Sequence, residues 1–201
     1  MLPNRHWPIY FIWLHLALLL GCNEPQLNSE RIEQQFGSYG VEILESSASH
    51  RVTNLYSLEG DRKVCRTLAL VLFNEPMNTA VKAEHQKITA GGSIGAVFKA
   101  NDWTIGKVNL FLGDIDVAAD ASLLNELMGI SVPNKLAMHI YRFKLQKGQT
   151  LVEYATIVEI HHPQYLSSRR LDRLYADYPA EVIPEPAVAA IAARVQQLLQ
   201  Q

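Results

Sequence analysis

The sequence predicts an α+β fold: a mainly antiparallel sheet of about five or six strands with helices packed largely on one face. Three observations carry this. Tyr39 to Leu44 alternates, with Tyr39, Val41 and Ile43 on one side, as a half-buried strand does. Two strand pairs close on glycine turns, at Glu59-Gly60-Asp61 and Lys147-Gly148-Gln149. Other segments repeat apolar residues at helical spacing, most clearly Val188, Ile191, Ala192, Val195, Leu198 and Leu199.

In chain order, a first helix is expected over Ser29 to Phe36. Ser29 or Asn28 can cap it, Glu30 and Glu33 suit its positive end, and Ile32 and Phe36 share a face. Gly37 is a natural stop. Strands follow at Tyr39 to Leu44 and Arg51 to Ser57. Val64 to Phe73 is almost continuously apolar, which suits a central strand covered on both faces. A helix near Asn78 to Ala90 carries Met77, Val81, Ile88 and His85 on one side, and a shorter one runs from Ile94 to Ala100. Trp103 precedes a strand from Ile105 to Leu112. Gly113-Asp114 reads as a turn into a helix near Ala118 to Met128. A long hairpin pairs Lys135–Leu145 with Leu151–His161. Helices near Ser167 to Tyr178 and Ala187 to Gln200 complete the chain. Thr67 to Pro76 can be laid over Tyr154 to Pro163, which suggests an internal repeat of a strand–strand–helix unit with pseudo-twofold symmetry.

The first 22 residues read as an address rather than as fold. Arg5 and His6 form a short basic start, and Ile9 to Leu20 is an apolar run too short to span a bilayer, which takes about 20 residues. Leu19-Leu20-Gly21-Cys22 then resembles the lipobox of bacterial lipoproteins. The resemblance implies that Cys22 receives diacylglycerol and fatty acyl chains such as palmitate, and that residues 1–21 are removed as a signal peptide. Residues 22–28 would be a lipidated tether, and 29–201 a single periplasmic domain. The residue after the cysteine is Asn23 rather than Asp. In such lipoproteins this implies the outer membrane, with the domain facing the periplasm. The plainer alternatives are a non-lipidated secretory signal or an N-terminal apolar helix with an accidental cysteine, and for a lipoprotein the inner membrane is the less favoured location.

The remaining composition limits the function classes. Without Arg5 the mature chain has 17 basic and 20 acidic residues, a net charge of −3, and gives no basic surplus for nucleic acid. Acylated Cys22 would leave Cys65 without a partner, so no disulfide scaffold exists; Cys65 reads as a buried, inert thiol. The tether reaches about 20 Å when extended, which keeps the domain near its own membrane.

Candidate chemistry is sparse. Gly91-Gly92-Ser93-Ile94-Gly95 matches the G-x-S-x-G nucleophile elbow, but that motif needs a preceding strand, and here a helix precedes it. The plainer reading is that two glycines end one helix and Ser93 caps the next. A third is that the free N–H groups of Gly91, Gly92, Ser93 and Gly95 hold an anion. His161-His162 point to opposite faces if extended and suit no single metal ion. His85 reads as a satisfied core residue, and Asp114 and Asp116 as turn residues. Arg169, Arg170 and Arg173 form a basic patch suited to solvent, anionic lipid or a partner. No catalytic set, metal or cofactor is expected. The preferred expectation is a non-enzymatic binding or assembly module at the outer membrane, with another envelope protein or component as partner. The alternative is an esterase-like hydrolase using Ser93.

Overall fold

The computed structural model describes residues 26–117, 121–130 and 134–199. Six strands form one antiparallel sheet: β1 (Gly40–Ser46), β2 (His50–Glu59), β3 (Arg62–Phe73), β4 (Thr104–Val117), β5 (Asn134–Lys147) and β6 (Thr150–His161). Their order in space is β1-β2-β3-β6-β5-β4, so β3 and β6 meet at the centre. The helices are α1 (Asn28–Phe36), α2 (Lys82–Thr89), α3 (Ile94–Lys99), α4 (Ser122–Met128), α5 (Ser168–Tyr175) and α6 (Glu185–Leu199). A 3-10 turn, Thr79–Val81, leads into α2.

The expected α+β class holds, but the helices do not share one face. Cross-strand pairs put Val52, Leu70, Val158 and Ile140 on one face, where α4 and α6 cover them through Leu124, Met128 and Val195. On the other face Val71, Ile157 and Tyr141 align; Phe98 of α3 and Ile88 of α2 pack there, and Ile32 of α1 joins Leu171 and Tyr175 of α5 beside them. Two faces of a central strand such as β3 are apolar, and each needs a cover.

A second correction concerns Gly113-Asp114. These residues do not turn; β4 runs on to Val117, with Gly113 opposite Met138 and Asp114 opposite Ala137. Ile115 and Val117 point inward while Asp114 and Asp116 are exposed, which is ordinary strand alternation. A Cβ at Gly113 would fall 2.7 Å from the Phe111 ring, so glycine is there for space rather than for a turn.

The internal repeat is larger than a strand–strand–helix unit and its register differs by one residue. Adding 88 to a residue number carries Leu70 onto its own sheet partner Val158, and Gly60 onto Gly148. The same shift carries the irregularity at Leu55/Tyr56 onto that at Phe143/Lys144. Adding 66 carries the irregularity at Ile43/Glu45 onto Asn109/Phe111, Gly40 onto Gly106, and the start of α1 onto the start of α3. The repeating unit is therefore α-β-β-β-α, from α1 to α2 and from α3 to α5, with α4 inserted between the first and second strands of the second unit, which accounts for the change of shift from 66 to 88. The overlay of Thr67–Pro76 on Tyr154–Pro163 implies a shift of 87. An odd shift would send every side chain to the opposite face, which a twofold axis normal to the sheet forbids. Both unit hairpins close with two-residue loops whose first residue is the glycine, at φ 62° and 58°. That is the II′ arrangement, whose twist matches the strands.

Candidate functional site

The axis passes through the Leu70–Val158 pair. On the α1/α3 face it opens into a cavity of about 80 Å³. Its lining repeats the symmetry. Leu27, Asn28 and Ser29 at the start of α1 face Ser93, Ile94 and Gly95 at the start of α3, each 66 residues on. Val41 answers Lys107 at the same shift. Thr53, Leu55, Ala69 and Val71 answer Tyr141, Phe143, Ile157 and Glu159 at the shift of 88. Tyr39 and Arg51 complete the wall. The cavity lies where two helix starts approach one sheet from symmetric positions; the starts meet where Leu27 packs against Gly95 and Glu30 pairs with Lys99 at 3.0 Å.

The symmetry is geometric and not chemical. Lys107 and Glu159 stand where the first half has Val41 and Val71. Both charged residues are buried, with 6% and 4% of their surface exposed. Glu159 Oε1 accepts hydrogen bonds from Asn28 Nδ2 and Tyr141 Oη, each 3.2 Å. Asn28 Nδ2 also reaches Thr67 Oγ1 at 3.2 Å, which lies 3.0 Å from His161 Nδ1, and Asn28 Oδ1 accepts from the Tyr165 hydroxyl. The Asn28 side chain thus serves a buried network and does not cap α1, contrary to expectation. The carboxylate of Glu30 takes the Leu27 N–H instead, at 3.0 Å. A buried carboxylate requires such donors.

Lys107 has little to hold. Its Nζ donates one long bond, 3.4 Å, to Tyr175 Oη and lies 4.2 Å above the Tyr141 ring. No carboxylate comes within 4.0 Å of it among the described residues. Burial pulls its pKa down, but the Tyr175 and Glu159 oxygens outweigh burial and the net shift is upward, so the group stays an ammonium. Nearby, burial, with Lys107 and His161 adding to it, lowers His139 to about 2, and burial lowers His161 to about 4 against the pull of Glu159. Both rings are neutral at pH 7.

Arg51 is the second buried cation in the cavity lining, with 2% exposed. Its Nη1 donates to the Ile88 carbonyl at 2.8 Å and the Gly92 carbonyl at 2.9 Å, and its Nε reaches Thr53 Oγ1 at 3.3 Å. Three neutral acceptors hold it and no carboxylate does. It thereby fixes the α2–α3 turn from below.

That turn contains the singled-out Gly91-Gly92-Ser93-Ile94-Gly95. Gly91 needs its freedom, at φ 116°, and the N–H groups of Gly91 and Gly92 are spent on Ile88 and Lys87 carbonyls. They are therefore not offered to an anion. Ser93 occupies the N-cap position of α3, yet its hydroxyl makes no capping bond and instead lines the cavity beside Tyr39. Among the described residues no histidine hydrogen-bonds to Ser93. His85 binds the Tyr154 hydroxyl at 2.8 Å, His139 binds Asn109, and His161 binds Thr67. A strand before the serine, which the elbow requires, is absent here: α2 precedes it.

The other candidates are dispersed. His161 faces the polar network, while His162 faces α4, 3.1 Å from the Met128 carbonyl, so the two diverge as extended neighbours should. Cys65 is fully buried and burial raises its thiol pKa. Arg170 and Arg173 share a shallow depression with Arg31 and Leu174; the described residues place no carboxylate within 4.0 Å of these three arginines, while Arg169 does not line it. No group of three or more metal-ligating side chains occurs among the described residues, and no described helix is long and apolar enough to cross a membrane. Cys22 lies outside the described residues.

Sequence reasoning missed Arg51, Lys107, Tyr141 and Glu159. The available signal was a charged residue interrupting an apolar strand: Lys107 after Ile105, and Glu159 between Val158 and Ile160. No protein-family model matches this chain, and no curated protein matches it.

Proposed function

We propose that this chain is a lipid-anchored envelope protein that binds a small ligand in the axial cavity and performs no chemistry on it. The single observation that carries the binding role is the cavity itself. Both halves of the fold line it, and its buried polar side chains keep unspent hydrogen-bonding capacity: Lys107 has one long bond for three N–H donors. Structural cores rarely keep such groups unpaired. The Leu-Leu-Gly-Cys22 pattern supports attachment to the outer membrane on its periplasmic side. The arginine depression supports the same orientation. Arg31 Nη2 donates to the Gln26 carbonyl at 3.2 Å, so these cations sit close to the tether that would leave Cys22, beside exposed Leu174.

The test uses protein purified gently from membranes. A low-molecular-weight envelope extract should raise its melting temperature. Ser93→Leu, which plugs the cavity mouth at the cost of no capping bond, should abolish the rise. An equal rise in both proteins would remove the cavity as the seat. Ser93→Ala with small ester substrates tests the hydrolase alternative; unchanged background hydrolysis is expected.

A further inference from the structure

We propose that the axial cavity takes a short-chain monocarboxylate, held through its carboxylate by Lys107. This rests on the binding role assigned to the cavity above and names its ligand class.

The first argument is charge. Two cations, Lys107 and Arg51, and one carboxylate, Glu159, all of them buried side chains, line the cavity, one more positive than negative charge among the lining residues. A desolvated cation without a counter-charge is costly, and a monoanion restores neutrality. A cation would add a third positive charge, and a dianion such as sulfate would overshoot. The second argument is donor capacity. The Lys107 ammonium has three N–H donors and spends one, at 3.4 Å, on Tyr175. Tyr141 gives its hydroxyl hydrogen to Glu159, so its ring supports the ammonium from below at 4.2 Å and its oxygen is not a rival donor. Glu159 does not neutralise Lys107 by contact: no pairing within 4.0 Å joins them. The third argument is size. About 80 Å³ is roughly half of the ~150 Å³ that encloses a benzene. The space suits a carboxylate and a few methylenes, which Val41, Val71 and Ile157 would surround. The ammonium is held protonated, so Lys107 acts as an ion-pairing group and not as a nucleophile toward a carbonyl.

The experiment is calorimetric titration of the membrane-purified protein with acetate, propionate and butyrate. Propionamide, propylammonium and sulfate serve as neutral, cationic and dianionic comparators. Propionate or butyrate should bind saturably, with propionamide at least about tenfold weaker, the loss expected when a charge-assisted bond becomes a neutral one. Lys107→Met should lose the preference for carboxylate over amide by the same factor, and Lys107→Arg should keep it. The arginine variant carries the test where the methionine variant does not fold. Amide binding equal to carboxylate overturns the ligand class and leaves the cavity as a binding seat. Tighter sulfate binding also overturns the carboxylate. If none of the six compounds binds and Ser93→Leu changes no response to envelope extract, the binding role itself falls.

Discussion

Arg51→Met should destabilise the fold by about 2–4 kcal/mol and loosen the α2–α3 turn. Two charged hydrogen bonds, at 2.8 and 2.9 Å, are removed from the Ile88 and Gly92 carbonyls. Bonds of that type contribute about 1.5–3 kcal/mol each, so the gross loss is about 3–6 kcal/mol. The third bond, to Thr53, is long at 3.3 Å and adds little. Against this stands relief, because a guanidinium 2% exposed and without a carboxylate is itself costly to bury. The net remains a loss because the methionine leaves two backbone acceptors facing an apolar group. Urea unfolding followed by Trp103 fluorescence reads the change, since this indole is buried against Phe98 at the end of α3. Amide exchange at residues 91–94 reads the loosening separately. Arg51→Lys should fall between, since an ammonium lacks the planar fork. A loss under about 0.5 kcal/mol with unchanged exchange at 91–94 would refute the role of Arg51 as the pin of this turn.

Other outcomes follow from the same geometry. Phe98 is fully buried and meets Trp103, Phe143 and Tyr154 at centroid distances of 6.2, 6.1 and 4.8 Å; Phe98→Ala should cost about 3–5 kcal/mol in the same unfolding assay. His139 and His161 keep neutral rings down to about 2 and about 4, whereas an unfolded histidine takes its proton near 6.5. The unfolded state therefore binds more protons between these values, and stability must fall as pH drops from about 6.5 toward 4, by about 1.4 kcal/mol per pH unit for each ring. Unfolding free energies at pH 7, 5.5 and 4.5 check this; a His161→Asn variant that keeps the full slope contradicts it. Cys22→Ser should abolish incorporation of labelled fatty acid, and a wild-type protein that stays unlabelled ends the anchor proposal. Replacing Arg170 and Arg173 by glutamine should weaken association of the domain face with anionic vesicles while leaving zwitterionic vesicles unaffected, read by protection of an α5 label.

Much of the fold was legible because its strands carry strong local signals. The II′ glycines and the alternation from Tyr39 to Ile43 located hairpins to within a residue or two. The extension of β4 was not legible, since Gly113-Asp114 has turn chemistry and only pairing with β5 shows that it is a strand. Coverage of both faces was half legible: the apolar run of β3 implied it, yet no helix announces which face it will choose. The site was the least visible part. Lys107 and Glu159 each occupy an inward position, but in strands covered on both sides alternation does not separate inward from outward. Their meeting depends on β4 and β6 flanking β5, a fact of topology that no local window contains. Ser93 was visible, but its surroundings decide its role, and they hold Tyr39 and Arg51 rather than a histidine.

The seam between β3 and β6 is seven residue pairs long and joins the two halves. A first half joined to a second copy of itself through Leu70 would carry valine at both 41 positions and at both 71 positions, and would lack α4 and α6 over the opposite face. A second half joined to itself would bring two Lys107 and two Glu159 side chains onto the axis. Neither assembly sets Lys107 and Glu159 of one half against Val41 and Val71 of the other. Carrying both halves on one chain removes the choice of partner, and so allows one half to keep the framework while the other changes its chemistry. The polarity of the cavity is thus a property of the covalent linkage as much as of the sheet.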